Sequence, residues 1–443
     1  MNRRIRRAAA VAAAFVAAVT VAACSSSSSG GSTGASSASL LTAKAPRGVT
    51  LTLWHNTADP AALMDLYKAY EKWSGNTIDL VNIPASDYPT VVQTKWATGA
   101  RPDVLEWHGN LTDVLGLDIE KNAIPLTSLP FVKEEGALAK VSGSVAGQTY
   151  AATISFPSVF GLFYNKADFA KAGLAPPQNY ADLASDCAVL KAKEPGAVPI
   201  YEAGGDQWPT QVLSDWDYLA QYNEGDAFDT SITDNSAKFT DPNGPFIAGL
   251  KAYDSLKSAG CFNKDATTAT WDDSMQALLN GSAAMVGNSS DSVSLLDSDA
   301  NGDTAKVDAT VGFVGVSATK PVASYAPSPL GTFYVPKTSD TKTEIAAIQF
   351  IKFITGAGYA TYVQEAGAIP TLAGTPAPKL QGLMQQIQQA YDAGATLTVN
   401  SAIPGYTSFG ALSQGLLASQ DTPAQVATKM QAYYLEADEA SGH

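Results

Sequence analysis

Two short segments of this chain set the same three side-chain types together. Trp54-His55-Asn56 and Trp107-His108-Gly109-Asn110 each place an indole beside an imidazole and an amide. An indole face packs on apolar C–H surfaces, while imidazole and amide groups exchange hydrogen bonds with hydroxyls in either direction. The combination suits a neutral, hydroxyl-rich ligand. Other chemistries find fewer parts. With His55, His108 and His443 as the only histidines, and no Gly-x-Ser-x-Gly elbow in the body that follows residue 45, a serine hydrolase is not assembled. A glycosidase needs two carboxyls about 5 to 9.5 Å apart across a sugar bond. The acid pairs Glu134-Glu135 and Asp272-Asp273 are chain neighbours, which point apart on a helix and read as solvated faces. His55 and His108 could share a metal with Glu106, but that is a thin donor set. No metal site and no cofactor are expected.

Both Trp-His segments follow strand-like runs. Val49–Trp54 alternates Thr50 and Thr52 with apolar residues, and a helix near 60–74 follows, with Ala62, Leu63, Leu66, Tyr67, Tyr70 and Trp73 at helical spacing. A second strand at 77–81, a helix over about 88–98 and a third strand at 103–107 continue the alternation, which indicates α/β layering. In open α/β sheets ligands sit beyond the carboxyl ends of strands. That rule places the two Trp-His segments on one rim.

Composition narrows the partners. The 443 residues carry a formal charge of −14, and loss of residues 1–23, with four arginines and no acid, would bring it to −18. Such a surface repels nucleic acid and anionic lipid, so neither is expected as a partner. The head itself (Arg3, Arg4, Arg6, Arg7, an apolar run from Ala8 to Ala23, then Cys24 and five serines) has the layout of a lipoprotein signal peptide over 1–23. Cys24 would carry the lipid, and several acyl chains would hold the protein on the outer face of the bacterial cytoplasmic membrane. Sec and twin-arginine export both stay open. Residues 24–45 are Ser/Gly/Ala-rich and read as a flexible tether. Cys187 and Cys261 are then the remaining thiols; in an oxidising compartment they read as a disulfide, the alternative being two buried free cysteines.

The middle of the chain resembles a known family. Gly147-Gln148-Thr149-Tyr150-Ala151-Ala152, Leu162-Phe163-Tyr164-Asn165-Lys166-Ala167-Asp168-Phe169, and Pro176-Pro177-Gln178-Asn179-Tyr180-Ala181-Asp182-Leu183 are similar to segments of the extracellular solute-binding proteins of ABC importers, in the maltose-type carbohydrate-binding group. Gly99–Val104, Leu279–Met285, Ala346–Ile354 and Gly367–Thr371 extend the likeness in the same order over nearly all of the body.

The resemblance implies a two-lobed α/β fold of the type II periplasmic-binding-protein kind, with discontinuous lobes joined at a hinge and a ligand cleft between them. Lobe one would comprise 46–155 and 318–367, and lobe two 156–317 and 368–443, with crossings near Ser155–Val159, Phe313–Ser317 and Gly367–Pro370. It also implies a non-enzymatic monomer that captures a mono- or oligosaccharide and delivers it to membrane permease subunits driven by an ATPase. A polyamine, a sugar phosphate or a secreted carbohydrate-active enzyme are the alternatives. Expected ligand contacts from lobe one are Trp54, His55, Asn56, Trp107 and His108. From lobe two they are Asp206 and Trp208, where the family often has a stacking tryptophan, and Asn288 and Ser289, where the family's Gly-x-Trp is replaced by Gly287-Asn288-Ser289. Phe156, Gly331, Thr332 and Tyr406 complete the set. Trp271 opens a helix of capping-box pattern and reads as structural or rim; Trp216 and Tyr218 read as core.

Overall fold

The structure, a computed structural model, describes residues 37–57, 59–84, 87–215, 228–328, 330–398 and 403–441. Residues 1–36, which include Cys24, and Trp216, Tyr218 and His443 lie outside those residues.

The alternating segments of the first hundred residues build a five-stranded sheet. Its order is Thr77–Ile83, Thr50–Asn56, Val104–Glu106, Thr332–Tyr334, Ala151–Thr153. The first three strands run parallel and the last two pair antiparallel to their neighbours. Helices Ala61–Ser74 and Thr341–Ile354 cover the sheet with Leu63, Leu66, Tyr70, Phe350, Ile351 and Ile354. The helix from Ala61 stops at Gly75, which takes the left-handed φ of +75° that glycine adopts without a Cβ clash.

A second sheet is centred on Ser158–Asn165. On one side lies Ala283–Ser289, antiparallel, followed by Val198–Ile200; on the other lies Ser324–Ala326, followed by Thr396–Leu397. Val311–Val314 pairs with the far half of the central strand, Val311 opposite Asn165. Helices Tyr180–Lys193, Pro245–Ser258 and Pro423–Ser441 surround this sheet. A disulfide joins Cys187 to Cys261 across 74 positions of sequence. It ties the helix Tyr180–Lys193 to the segment that leaves Ser258.

Among the described residues the chain passes between the sheets at three places. The first passage, 154–157, leaves Thr153 and enters Ser158. The second differs from the expectation at Phe313–Ser317. Gly315 lies against the backbone of Ala323, with no room for a Cβ, and Ser317 N–H donates to Lys320 O at 3.0 Å; the chain thus doubles back and adds Ser324–Ala326 to the second sheet before it returns to the first at Thr332. The third passage also comes later than Gly367–Pro370. Leu372 belongs to the first lobe's core, and Ala373 N–H donates to Glu134 O at 2.9 Å, whereas Leu383 is already in the second lobe's core.

The N-terminal boundary differs as well. Ser37–Thr42 is helical, with Leu40 and Leu41 buried in the first lobe's core, and Lys352 Nζ donates to Leu41 O at 2.6 Å. Two leucines among serines and alanines suffice to dock one helical turn, a signal that the low-complexity composition of 24–45 obscures.

Candidate functional site

A cavity of about 480 Å³ opens between the two lobes, within the span of roughly 300–1,000 Å³ usual for small-molecule sites. The first lobe contributes Asn56, at the end of its strand, and His108, Asn110 and Asp113, just past Glu106. The loop at Asn110 is fixed by its own chemistry. Asn110 Oδ1 accepts from Asp113 N–H at 3.0 Å and caps the helix Leu111–Gly116, while Asp113 Oδ2 accepts from Asn110 Nδ2 at 2.6 Å and faces His108 Nδ1 at 2.6 Å. Burial opposes ionisation of Asp113, but the hydrogen bond and the charge of His108, with help from Asn110, outweigh it and hold the carboxyl below its ordinary range.

The second lobe supplies aromatic walls and two more acids. Trp208 meets Trp271 edge to face at 5.6 Å and 78°, and Phe160 at 6.5 Å and 77°. Trp271 is held in turn: its indole N–H donates to Ser292 Oγ at 2.8 Å, and its backbone N–H donates to Asp206 Oδ2 at 2.5 Å. Asp215 accepts from Tyr406 OH at 2.6 Å, and burial pushes its carboxyl up to about 7 although that bond pulls the other way. Asp291 accepts from Ser158 OH at 2.6 Å and Ser289 OH at 3.2 Å; burial again pushes its pKa up. No Lys or Arg lines the cavity among the described residues. Aromatic faces, acceptor-rich carboxylates, and amide and imidazole groups therefore converge on one space. That inventory can stack an apolar ring face and accept hydrogen bonds from hydroxyl or ammonium groups.

Of the residues expected from sequence, Asn56, His108, Trp208, Ser289 and Tyr406 line the cavity. Trp54 does not: it is buried among Tyr88, Val92 and Trp96. Trp107, fully buried, lies beneath the rim with its ring stacked on His108 at 4.7 Å and 10°, and its indole N–H donates to Asp113 O at 3.2 Å. His55 pairs with Asp59, Nδ1 to Oδ2, at 2.7 Å. Asp206 caps the helix that carries Trp271. Asn288 is fully buried, with Oδ1 on the backbone N–H of Ser289 at 2.8 Å. Phe156 packs on Tyr391 at 5.0 Å. Thr332 is fully buried, and its hydroxyl donates to Ser328 O at 3.0 Å. Gly331 sits at the second crossing with φ +72°, where a Cβ would fall 2.2 Å from Ser155 Oγ.

Trp271, read from sequence as structural or rim, lines the cavity. From sequence Asp215 counts only among the acids a polyamine would need, and Asp291 is missed because it stands in no motif. Phe160 lies on a strand whose alternation gave its face no distinction from core.

The sequence model for the family described as bacterial extracellular solute-binding protein matches residues 54–361. The chain belongs to this family. Solved structures share the fold. A chitin oligosaccharide binding protein superposes with a TM-score of 0.74 at 22% identity, covering 88% of this chain and 99% of that one. The solute-binding protein RafE in complex with raffinose gives 0.73 at 16%, covering 88% and 100%. The GacH receptor of Streptomyces glaucescens, solved unliganded and with acarbose, gives 0.70 at 20%, covering 89% and 99%. No curated protein sequence matches the chain. The solute-binding protein described here thus has the two-lobed α/β architecture of these receptors, and its cavity lies between the lobes.

Proposed function

We propose that this solute-binding protein captures a neutral mono- or oligosaccharide in the inter-lobe cleft and hands it to the membrane subunits of an ABC importer. The observation that carries the reading is the pairing of Trp208 and Trp271 with the hydroxyl-accepting groups of Asp215, Asp291, Asn56 and His108 around one cavity. A sugar ring has an apolar C–H face for the indoles and a hydroxyl edge for the acceptors. Ligands named for the structural neighbours, raffinose and acarbose, agree with that class. The absence of Lys or Arg from the described lining argues against sugar phosphates, which call for basic partners. Closure of the lobes on the ligand follows from the contacts each side offers, because only the closed state makes both sets at once. The lipid anchor at Cys24 belongs to the same reading and is supported by the leader's sequence pattern.

Two cavity acids without a basic partner among the described residues, Asp215 and Asp291, favour one second reading, a cationic solute such as a polyamine. A thermal-shift screen with neutral sugars, sugar phosphates and polyamines separates the two. A true ligand at about 100 times its dissociation constant adds roughly 2.7 kcal/mol to the folded state. A rise in melting temperature confined to neutral sugars supports saccharide capture; a rise with polyamines alone transfers the assignment to a cation.

A further inference from the structure

We propose that His55, Asp59 and Glu106 bind a divalent cation of the Zn²⁺ or Mn²⁺ type beneath the first lobe's rim of the cleft. One ligating atom from each of the three lies within 4.8 Å of the others. Donor atoms around a tetrahedral zinc ion, each about 2.0–2.2 Å from the metal, are roughly 3.4 Å apart, so the three side chains would draw in on the ion. From sequence no metal site is expected, and the donor set weighed and set aside is His55, His108 and Glu106; His108 is instead committed to Asp113 at 2.6 Å.

The cluster is more than neighbouring acids. Glu106 is fully buried, and while its Oε1 accepts from Gly331 N–H at 2.6 Å, its Oε2 has no hydrogen-bond partner. The Asp59 side chain is fully shielded; Oδ2 meets His55 Nδ1 at 2.7 Å, and Oδ1 has no partner. The buried hydroxyl of Tyr67 is a third unpartnered oxygen, and both carboxylates act on it electrostatically. No Lys or Arg among the described residues pairs with either acid. Two carboxyls in a dry site whose one basic neighbour is the imidazole of His55 are costly, and burial together with the charge of Asp59 pushes Glu106 upward accordingly. A proton shared between the acids would relieve that repulsion and leave His55 bonded to Asp59 alone. A cation uses all three donors, and the mixture of one imidazole with two carboxylates suits Zn²⁺ or Mn²⁺ better than the all-oxygen preference of Ca²⁺. Asn56, beside His55, and His108, two residues beyond Glu106, both line the cleft, so an occupied site would stiffen the rim that carries them.

The test uses the full chain without a purification tag, stripped with a chelator and titrated with ZnCl₂, MnCl₂ and CaCl₂, each followed by calorimetry and by melting. The expected result is one saturable equivalent of Zn²⁺ or Mn²⁺ per chain, with a melting temperature raised by a few degrees at saturation and a weaker response to Ca²⁺. Glu106→Gln and Asp59→Asn should each remove that equivalent. Glu106→Gln relieves repulsion at constant volume, so its metal-free melt should equal or exceed that of the parent, which separates lost binding from lost folding. Asp272→Asn, at an exposed helix start, should leave the equivalent intact. No saturable equivalent in the parent, or undiminished binding by Glu106→Gln, overturns the site; the first result would mean that the acids share a proton. Tighter binding of Ca²⁺ than of either other ion overturns the assigned class.

Discussion

Gln207, the residue before Trp208, has φ +62° and ψ −58°. That is the strained γ-turn region, costing of order 1–3 kcal/mol and persisting only where the surroundings impose it. Here it turns the chain so that Trp208 enters the cleft against Trp271 and Phe160. Trp208→Ala should weaken sugar binding by about 1–3 kcal/mol, the allowance for one buried aromatic contact, with the melt of the free protein little changed; a collapse of the melt would reassign Trp208 to the fold. Asp215, held up to about 7 by burial, carries a second expectation. Its charge appears as pH rises through 7, so a cationic ligand should bind more tightly at pH 8 than at pH 6, whereas a neutral sugar loses that incentive; titration calorimetry at the two values reads the difference. At this scale the sequence was readable in part. Asn56 and His108 follow from the rule that ligands sit past strand ends. Trp54 and Trp107 obey the same rule and still face inward, because helix Tyr88–Ala97 and the Asn110 loop cover their side of the sheet, which single-strand patterning does not contain.

Among the elements, the disulfide is the covalent tie between the helix Tyr180–Lys193 and the segment that leaves Ser258. Closing 74 residues contributes about 4 kcal/mol in the chain-entropy account. Replacing Cys187 and Cys261 by serine should lower the melting temperature by several degrees, and an unchanged melt would show that the helix Tyr180–Lys193 is held by packing alone. The alternation of strands and helices in the first lobe was legible because each run has its own periodicity. The crossings were not. Ser324–Ala326 is three residues long, too short to show a period, and it follows a turn whose tightness at Gly315 depends on Ala323, eight residues on. The helix Ser37–Thr42 escaped for a related reason, since the burial of Leu40 and Leu41 depends on Thr341–Ile354, three hundred residues away.

Over the whole molecule, buried acids set the response to pH. Burial holds Glu135 at about 8 and Glu202 at about 8, the latter against the opposing bond from Tyr253 OH. Each keeps in the folded state a proton that the unfolded chain releases near its ordinary value of 4.5. Their contribution is therefore full below about 4.5 and is lost as pH rises through about 8. The melting temperature should fall between pH 5 and pH 9, and Glu202→Gln, neutral throughout, should flatten the decline while matching the parent at pH 5. A decline of unchanged slope would show that Glu202 does not titrate in this range.

The first sheet has one further consequence, in the order in which it can be completed. Thr332–Tyr334 sits between Val104–Glu106 and Ala151–Thr153, so a strand made late in synthesis occupies the middle of a sheet begun at Thr50. Until that strand emerges, the early ones lack a neighbour and stay open, and such long-range closure is intrinsically slow. A chain exported through a channel that takes unfolded protein would gain from this delay, because neither side of the interleaved fold can be finished until its late strand is made.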